Sequence, residues 1–338
     1  MRVLQPMQIL KAIALGILGF GLSALSYADY PQKMNFRNIM ATQDVALGEV
    51  EAITQDAQGF MWFGGRNALL RFDGYNLLNV QFASGDSEGR TSISQVTDLL
   101  EDRSGQLWVV ARTGIYLYDR GQEVLWQPKN DVEGGAIYRS GAERIVQLAS
   151  GTVVLGSQNG LHFVDPQTYS VKTIAKGDDL QRSLPSSNVH DLYIDEAGIL
   201  WVGTDAGLSR FDEGAKTFKH FTPFPEKPNS LPDNAVWALD KDHNGQLWLG
   251  VHKGIYRFDI ASETFSHRYL SDANDRGSIS GDLTRDIFVD SLGWVWTGND
   301  LNGISLYDAG RDRFINFSHD ANKASSLSAN SIRRFFED

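Results

Sequence analysis

The sequence contains no cysteine, which excludes disulfides, zinc–thiolate sites, iron–sulfur clusters and thiol catalysis. Proline is scarce, nine in 338 residues, and no stretch sustains a helical heptad, so a helical bundle or helical solenoid finds no support. Basic side chains are outnumbered, 31 Lys and Arg against 42 Asp and Glu for a net charge of −11. That leaves too little positive charge for nonspecific nucleic-acid binding, which depends on neutralising phosphates. The seven histidines form neither H-x-x-x-H nor H-E-x-x-H, and there is no G-x-S-x-G, Walker loop, kinase signature or cyclase signature. What the chain has in excess is glycine, 33 residues, and tryptophan, eight, within a globular composition that is 42% apolar and 22% charged.

Met1–Ala28 has the three regions of a secretory signal peptide. Arg2 and Lys11 supply positive charge, Ala12–Leu25 is an apolar run of 14 residues, and Ser26 and Ala28 place small residues at −3 and −1 of a cut before Asp29. The run is short for a bilayer crossing, which takes about 20 apolar residues. The expectation is an exported, periplasmic chain that begins at Asp29.

Six segments of the remainder repeat. They start at Asp56, Asp102, Leu148, Asp195, Asp242 and Asp290, spaced 46, 46, 47, 47 and 48 residues apart, and a further 48 leads to Asp338. Counting each start as zero, glycine stands at +3 in all six, from Gly59 to Gly293. Tryptophan stands at +6 in five, as Trp62, Trp108, Trp201, Trp248 and Trp296, with Val154 in the third. Glycine stands at +8 in five, among them Gly64, Gly203, Gly250 and Gly298, with Val110 the exception. The mostly apolar stretch before each start, such as Val50–Thr54 or Val236–Asp240, reads as a strand. Asp-x-x-Gly then turns the chain, because the carboxylate accepts turn N–H groups and glycine takes positive φ. A Leu-Trp-Val/Leu-Gly strand, a third strand ending at an Asp, and a fourth strand follow. Four short antiparallel strands at this period make one blade of an all-β propeller.

The fourth unit, with Asp195, Gly198, Leu200, Trp201, Gly203, Thr204, Gly207, Leu208, Arg210 and Asp212, resembles the two-component-regulator propeller repeat. The resemblance extends over about Met34 to Asp338, and Leu148, Val154 and Val110 depart from it. In that family one or two such propellers sit in the periplasm. A connecting β domain, a transmembrane helix and a cytoplasmic histidine kinase, hybrid two-component or diguanylate cyclase output follow them. The resemblance implies a ligand-sensing role, an oligosaccharide as the small ligand, a homodimer formed through the full-length protein, and membrane attachment only through a C-terminal part. No motif calls for a cofactor or a metal, and no residue is assigned to catalysis. A secreted propeller lyase or glycoside hydrolase and a protein-interaction scaffold remain open alternatives.

The repeated Trp, Gly and Asp are expected to be scaffold, since one ligand site does not need six copies. Ligand contacts are expected where the repeats differ. The +10 position, in the turn between the second and third strands, reads Arg66, Arg112, Gln158, Asp205, His252 and Asp300. It shares a face with the connections Ser84–Gln95, Lys129–Glu143 and Pro223–Asn234. Trp126, at the end of an outer strand, is placed to stack a sugar ring, whereas Trp237 and Trp294 are expected to pack. Ser325–Glu337 reads as the approach and first strand of a seventh blade, and Met34–Asn38, within a segment spanning 29–49, as its closing strand. The expected architecture is therefore an incomplete seven-bladed ring over 50–338, six complete repeats and the start of a seventh, cut from a longer protein.

Overall fold

A computed structural model describes residues 34–36, 47–82, 93, 95–129, 134–223, 230–231 and 235–337. The signal-peptide segment lies outside them, as do most of the connections Ser84–Gln95 and Pro223–Asn234. The chain divides into two compact units, Met1–Pro31 and Gln32–Asp338, and the second holds all of the described residues.

The architecture of that unit is an all-β propeller of six blades, each an antiparallel sheet of four strands in chain order. The first strand of each blade is Val50–Gln55, Val96–Glu101, Arg144–Gln147, Val189–Ile194, Val236–Lys241 or Thr284–Val289. These first strands pack on one another from blade to blade around the centre. Blade two carries a fifth strand, because Gln81–Phe82 pairs in parallel with the outer strand Val124–Trp126. The connection leaving blade one thus covers a sheet edge that would otherwise present unpaired backbone groups. Among the described residues the one α-helix is Ile137–Ser140, on the way from blade two to blade three.

The repeated residues hold the blades by a single device. The Asp at position zero uses Oδ1 to accept the N–H groups at +2 and +4, as Asp242 does from Asn244 and Gln246. Its Oδ2 accepts the indole N–H of the Trp at +6, at 2.9 Å from Trp62, 2.8 Å from Trp108, 3.0 Å from Trp201, 2.9 Å from Trp248 and 2.8 Å from Trp296. A buried indole needs an acceptor for its one donor, and the turn supplies it six residues away. Blade three loses both partners together, and Leu148 and Val154 meet instead in one apolar cluster.

Glycine at +8 admits the first strand of the next blade. A Cβ on Gly64 would stand 2.3 Å from Val96 Cγ1, and one on Gly156 2.6 Å from Val189 Cγ1. Blade two has Val110 there, and the facing residue of blade three is the small Ala142; both are buried in one cluster. The two departures from the pattern are therefore matched changes across a contact. Outside these columns, Arg71 pairs with Glu123 at 2.7 Å and Arg210 with Glu263 at 3.1 Å, clasping blade one to the outer hairpin of blade two and blade four to that of blade five.

The end of the chain packs against blade six. A Cβ on Gly298 would lie 2.6 Å from Ile332 Cγ2, and the Phe335 N–H donates to Asp286 Oδ2 at 2.7 Å. Among the described residues no strand follows Arg313–Phe317. Met34–Phe36 carry no strand either; the Phe36 N–H donates to Ser325 O at 3.0 Å, and the Phe36 ring meets Phe317 edge-on.

Candidate functional site

Five of the six first strands bulge at their second residue, where the register slips between Val50 and Ala52, Val96 and Asp98, Val189 and Asp191, Val236 and Ala238, and Thr284 and Asp286. A bulge bends its strand and re-aims a side chain. The residues at the slip are Glu51, Thr97, His190, Trp237 and Arg285, with Glu143 and Arg333 in the equivalent places in blade three and the C-terminal segment. All of these but Thr97 line one funnel of about 520 Å³ on the face that carries the turns between second and third strands.

Of the +10 residues, Arg66, Arg112 and Gln158 line the funnel directly. Asp205 and Asp300 hold lining residues in place. Asp205 accepts from His190 at 2.6 Å and from Asn188 at 2.8 Å, and Asp300 pairs with Arg285 and with Arg333, each at 2.8 Å. His252 lies beside the funnel, in a smaller pocket of about 210 Å³ shared with Trp237 and Arg285. Trp126 lies elsewhere, edge-on to Tyr169 at 5.8 Å in the packing between blades two and three. Trp237 does more than the packing expected of it. Its indole stacks on the His190 ring with centroids 3.9 Å apart, and the Arg285 guanidinium sits 5.7 Å from its centroid.

These contacts join into an arc: Arg66 to Glu49 at 3.0 Å, Glu49 to Arg333 at 3.2 Å, Arg333 to Asp300, Asp300 to Arg285, then Trp237, His190 and Asp205. Arg112 pairs with Glu143 at 2.7 Å elsewhere on the wall. Burial pushes the Asp205 carboxyl up, but the hydrogen bonds from His190 and Asn188 outweigh it and hold the carboxyl below its usual range.

Below the funnel, one residue further along the first strands, charges face the axis. Arg144 Nε donates to Asp191 Oδ1 at 2.8 Å, and Arg334 lies 3.4 Å from Asp98 and 3.5 Å from Asp286. Each aspartate also accepts a backbone N–H from the neighbouring first strand or C-terminal segment: Asp98 from Ile145, Asp191 from Leu239 and Asp286 from Phe335. Burial pushes Asp286 up to about 6 against the pull of Arg334 and Arg144. Burial pushes Asp240 to about 7, the N–H groups of Val289 and Lys241 pulling the other way and Asp286 and Asp191 adding to the rise.

Asp240 gives a direct prediction. Unfolded, it titrates near the ordinary carboxyl value of 3.8; folded, near 7. Between those pH values the folded state keeps a proton that the unfolded state has released, so this group's contribution is full below about 4 and is lost as pH rises through 7. The shift sets a ceiling of about 4 kcal/mol. Asp240→Asn keeps an acceptor for Val289 and is expected to gain on the order of 2 kcal/mol relative to the parent between pH 4.5 and pH 8. Urea unfolding at both pH values measures it, and equal slopes for parent and variant would sink the assignment.

The fold and the funnel together define a propeller with a polar, charge-lined mouth. The family model described as two component regulator propeller matches residues 183–206 and 230–253, and the chain carries repeats of that family. Two similar solved structures come from B. thetaiotaomicron. The extracellular domain of the putative hybrid two component system BT3049 has a TM-score of 0.72 at 23% identity, over 90% of this chain and 39% of that one. The extracellular domain of the putative one component system BT4673 has a TM-score of 0.71 at 20% identity, over 90% and 38%. This chain thus spans well under half the length of either. Virginiamycin B lyase from Staphylococcus aureus has a TM-score of 0.56 at 12% identity, over 79% and 83%. At these identities the likeness is one of fold, and one fold hosts several functions. No curated protein matched the sequence.

Proposed function

We propose that this chain is the extracytoplasmic ligand-sensing propeller of a transmembrane signalling protein, a two-component histidine kinase or a diguanylate cyclase, and that it is not itself an enzyme. The observation that carries the reading is the bulged column. One repeated framework aims Glu51, Glu143, His190, Trp237 and Arg285, from five of the six blades, into a single funnel, as a binding mouth requires and a scaffold does not. The family of the repeats and the extracellular origin of the two B. thetaiotaomicron structures support it. An oligosaccharide is the proposed ligand. Residues 332–335 are proposed as the first strand of a seventh blade. In support, Ile332 meets Gly298 as Val96 meets Gly64, and the Phe335 N–H meets Asp286 as that of Ile145 meets Asp98.

A ligand at a hundredfold excess over its Kd adds about 2.7 kcal/mol to the folded state. A thermal-shift screen of oligosaccharides is expected to give a rise in Tm for one ligand class, and to lose it in Trp237→Ala. Products of hydrolysis or elimination in the same mixtures would transfer the funnel to the enzyme reading. A rise that survives Trp237→Ala would move the site elsewhere.

A further inference from the structure

We infer that the funnel takes a ligand carrying a carboxylate on a ring, with the ring on the Trp237 indole and the carboxylate at Arg285 and Arg333. The inference rests on the sensing reading above and narrows its ligand. Three nitrogen donors at one side of the funnel have no hydrogen-bond partner and are closed to water in this arrangement, Trp237 Nε1, Arg285 Nε and Arg333 Nε, so an acceptor in the funnel meets them only as these side chains shift. Buried donors are nearly always satisfied, and an unmet one marks a missing partner. These groups only donate, so the missing partner is an acceptor. An oxyanion suits guanidinium groups best, since two parallel N–H bonds can meet its two oxygens.

The three side chains come from successive segments, blade five, blade six and the C-terminal residues, and all three line the one funnel. Five arginines line the wall; Arg112 and Arg144 are paired with Glu143 and Asp191, whereas Arg66, Arg333 and Arg285 share Glu49 and Asp300, three guanidinium groups against two carboxylates. Asp300 bridges Arg285 and Arg333 and fixes their spacing. The Trp237 indole stacks on His190 and has the Arg285 guanidinium over its ring, so a sugar or aromatic ring covers the indole as Arg285 turns to the carboxylate. A neutral sugar would meet the indole but would bring no charge to the guanidinium pair.

The shared chemistry has two sources, a uronic acid or an aromatic acid, and the experiment separates them. Calorimetric titration of the chain with digalacturonate, galactobiose and 4-hydroxybenzoate is expected to show one of the two acids binding at least tenfold more tightly than the neutral disaccharide. Arg285→Gln is expected to weaken that acid tenfold or more and leave galactobiose within twofold. Arg285→Lys, which keeps the charge, recovers part of the loss, and Trp237→Phe keeps part of the stacking. A melting curve checks that each variant is folded. Rising salt weakens acid binding and spares neutral binding. Equal affinity for digalacturonate and galactobiose, or acid binding that Arg285→Gln and Trp237→Phe both leave unchanged, overturns the inference. So does the absence of binding by either acid at 10 mM. Galactobiose binding that depends on Trp237 and is as tight as that of either acid, or tighter, would overturn the inference while leaving the sensing reading intact.

Discussion

Truncating Trp248 to alanine is expected to cost about 3–5 kcal/mol, the usual range for deleting a buried large aromatic side chain. Trp248 is 0% exposed and packs between blades five and six, with ring centroids 4.7 Å from Tyr307 and 5.7 Å from Tyr269 and with the Arg257 guanidinium 5.2 Å from its centroid. Its loss opens a cavity where the two sheets meet and takes from Asp242 Oδ2 the indole donor. Asp242→Leu alone leaves a buried N–H unmet and the turn without its Oδ1 acceptor, a further loss of about 1–3 kcal/mol. Blade three shows the way out of both, with Leu148 and Val154 packed together. The double variant Asp242→Leu/Trp248→Val is therefore expected to cost less than the sum of its single changes by about 0.5–3 kcal/mol. Denaturant midpoints of the four proteins decide it. Additivity within about 0.5 kcal/mol would show that blade three tolerates its departures separately.

The same pair explains why the fold was legible. An Asp that organises a turn and an indole that returns to it six residues later must keep their spacing, so the period survives in sequence wherever the pair does. Where Leu148 and Val154 replace it, the +3 glycine of the turn still marks the blade, Gly151 with φ 94°. The face was legible for a similar reason: the +10 column varies inside a fixed frame, and three of its six residues, Arg66, Arg112 and Gln158, line the funnel, while Asp205, His252 and Asp300 do not. The bulged column was not. A strand with strict alternation gives Trp237 and Arg285 no special direction, and only the slipped register turns them into the funnel. The available signal was a column of Glu, Thr, His, Trp and Arg within otherwise apolar strands. Nor did spacing show that Arg144 and Asp191, 47 residues apart, compensate each other across the axis, because blade neighbours meet only once the sheets stand round it. The parallel pairing of Gln81–Phe82 with blade two likewise depends on where a connection runs.

Those axial charges carry the second large effect. Arg144→Met is expected to cost about 3–5 kcal/mol at pH 8, the range for removing one partner of a buried pair. The Arg144 side chain is 14% exposed and that of Asp191 6%. Burial works against the guanidinium charge, but Asp191, Asp98 and Asp286 together hold it protonated. Without it, Arg334 alone faces three carboxylates, whose ionised forms become harder to keep buried. Asp286, which burial pushes up to about 6 against the pull of Arg334 and Arg144, then takes up its proton more readily and relieves the repulsion, so the deficit of Arg144→Met against the parent is expected to shrink between pH 8 and pH 5. Combining Arg144→Met with Asp191→Leu would replace the pair by apolar surface and recover much of the loss, although Leu239 would lose the acceptor that Asp191 gives its N–H. Equilibrium unfolding at the two pH values tests the sign, and a deficit that grows toward acid would refute it. Because Arg144 also lines the funnel, a ligand that draws its guanidinium upward would loosen the contact to Asp191 and so the tie between blades three and four. Binding there is expected to cost less when that tie is absent, so in Asp191→Asn the affinity for an anionic ligand should rise rather than fall; an unchanged Kd would separate the axial charges from sensing.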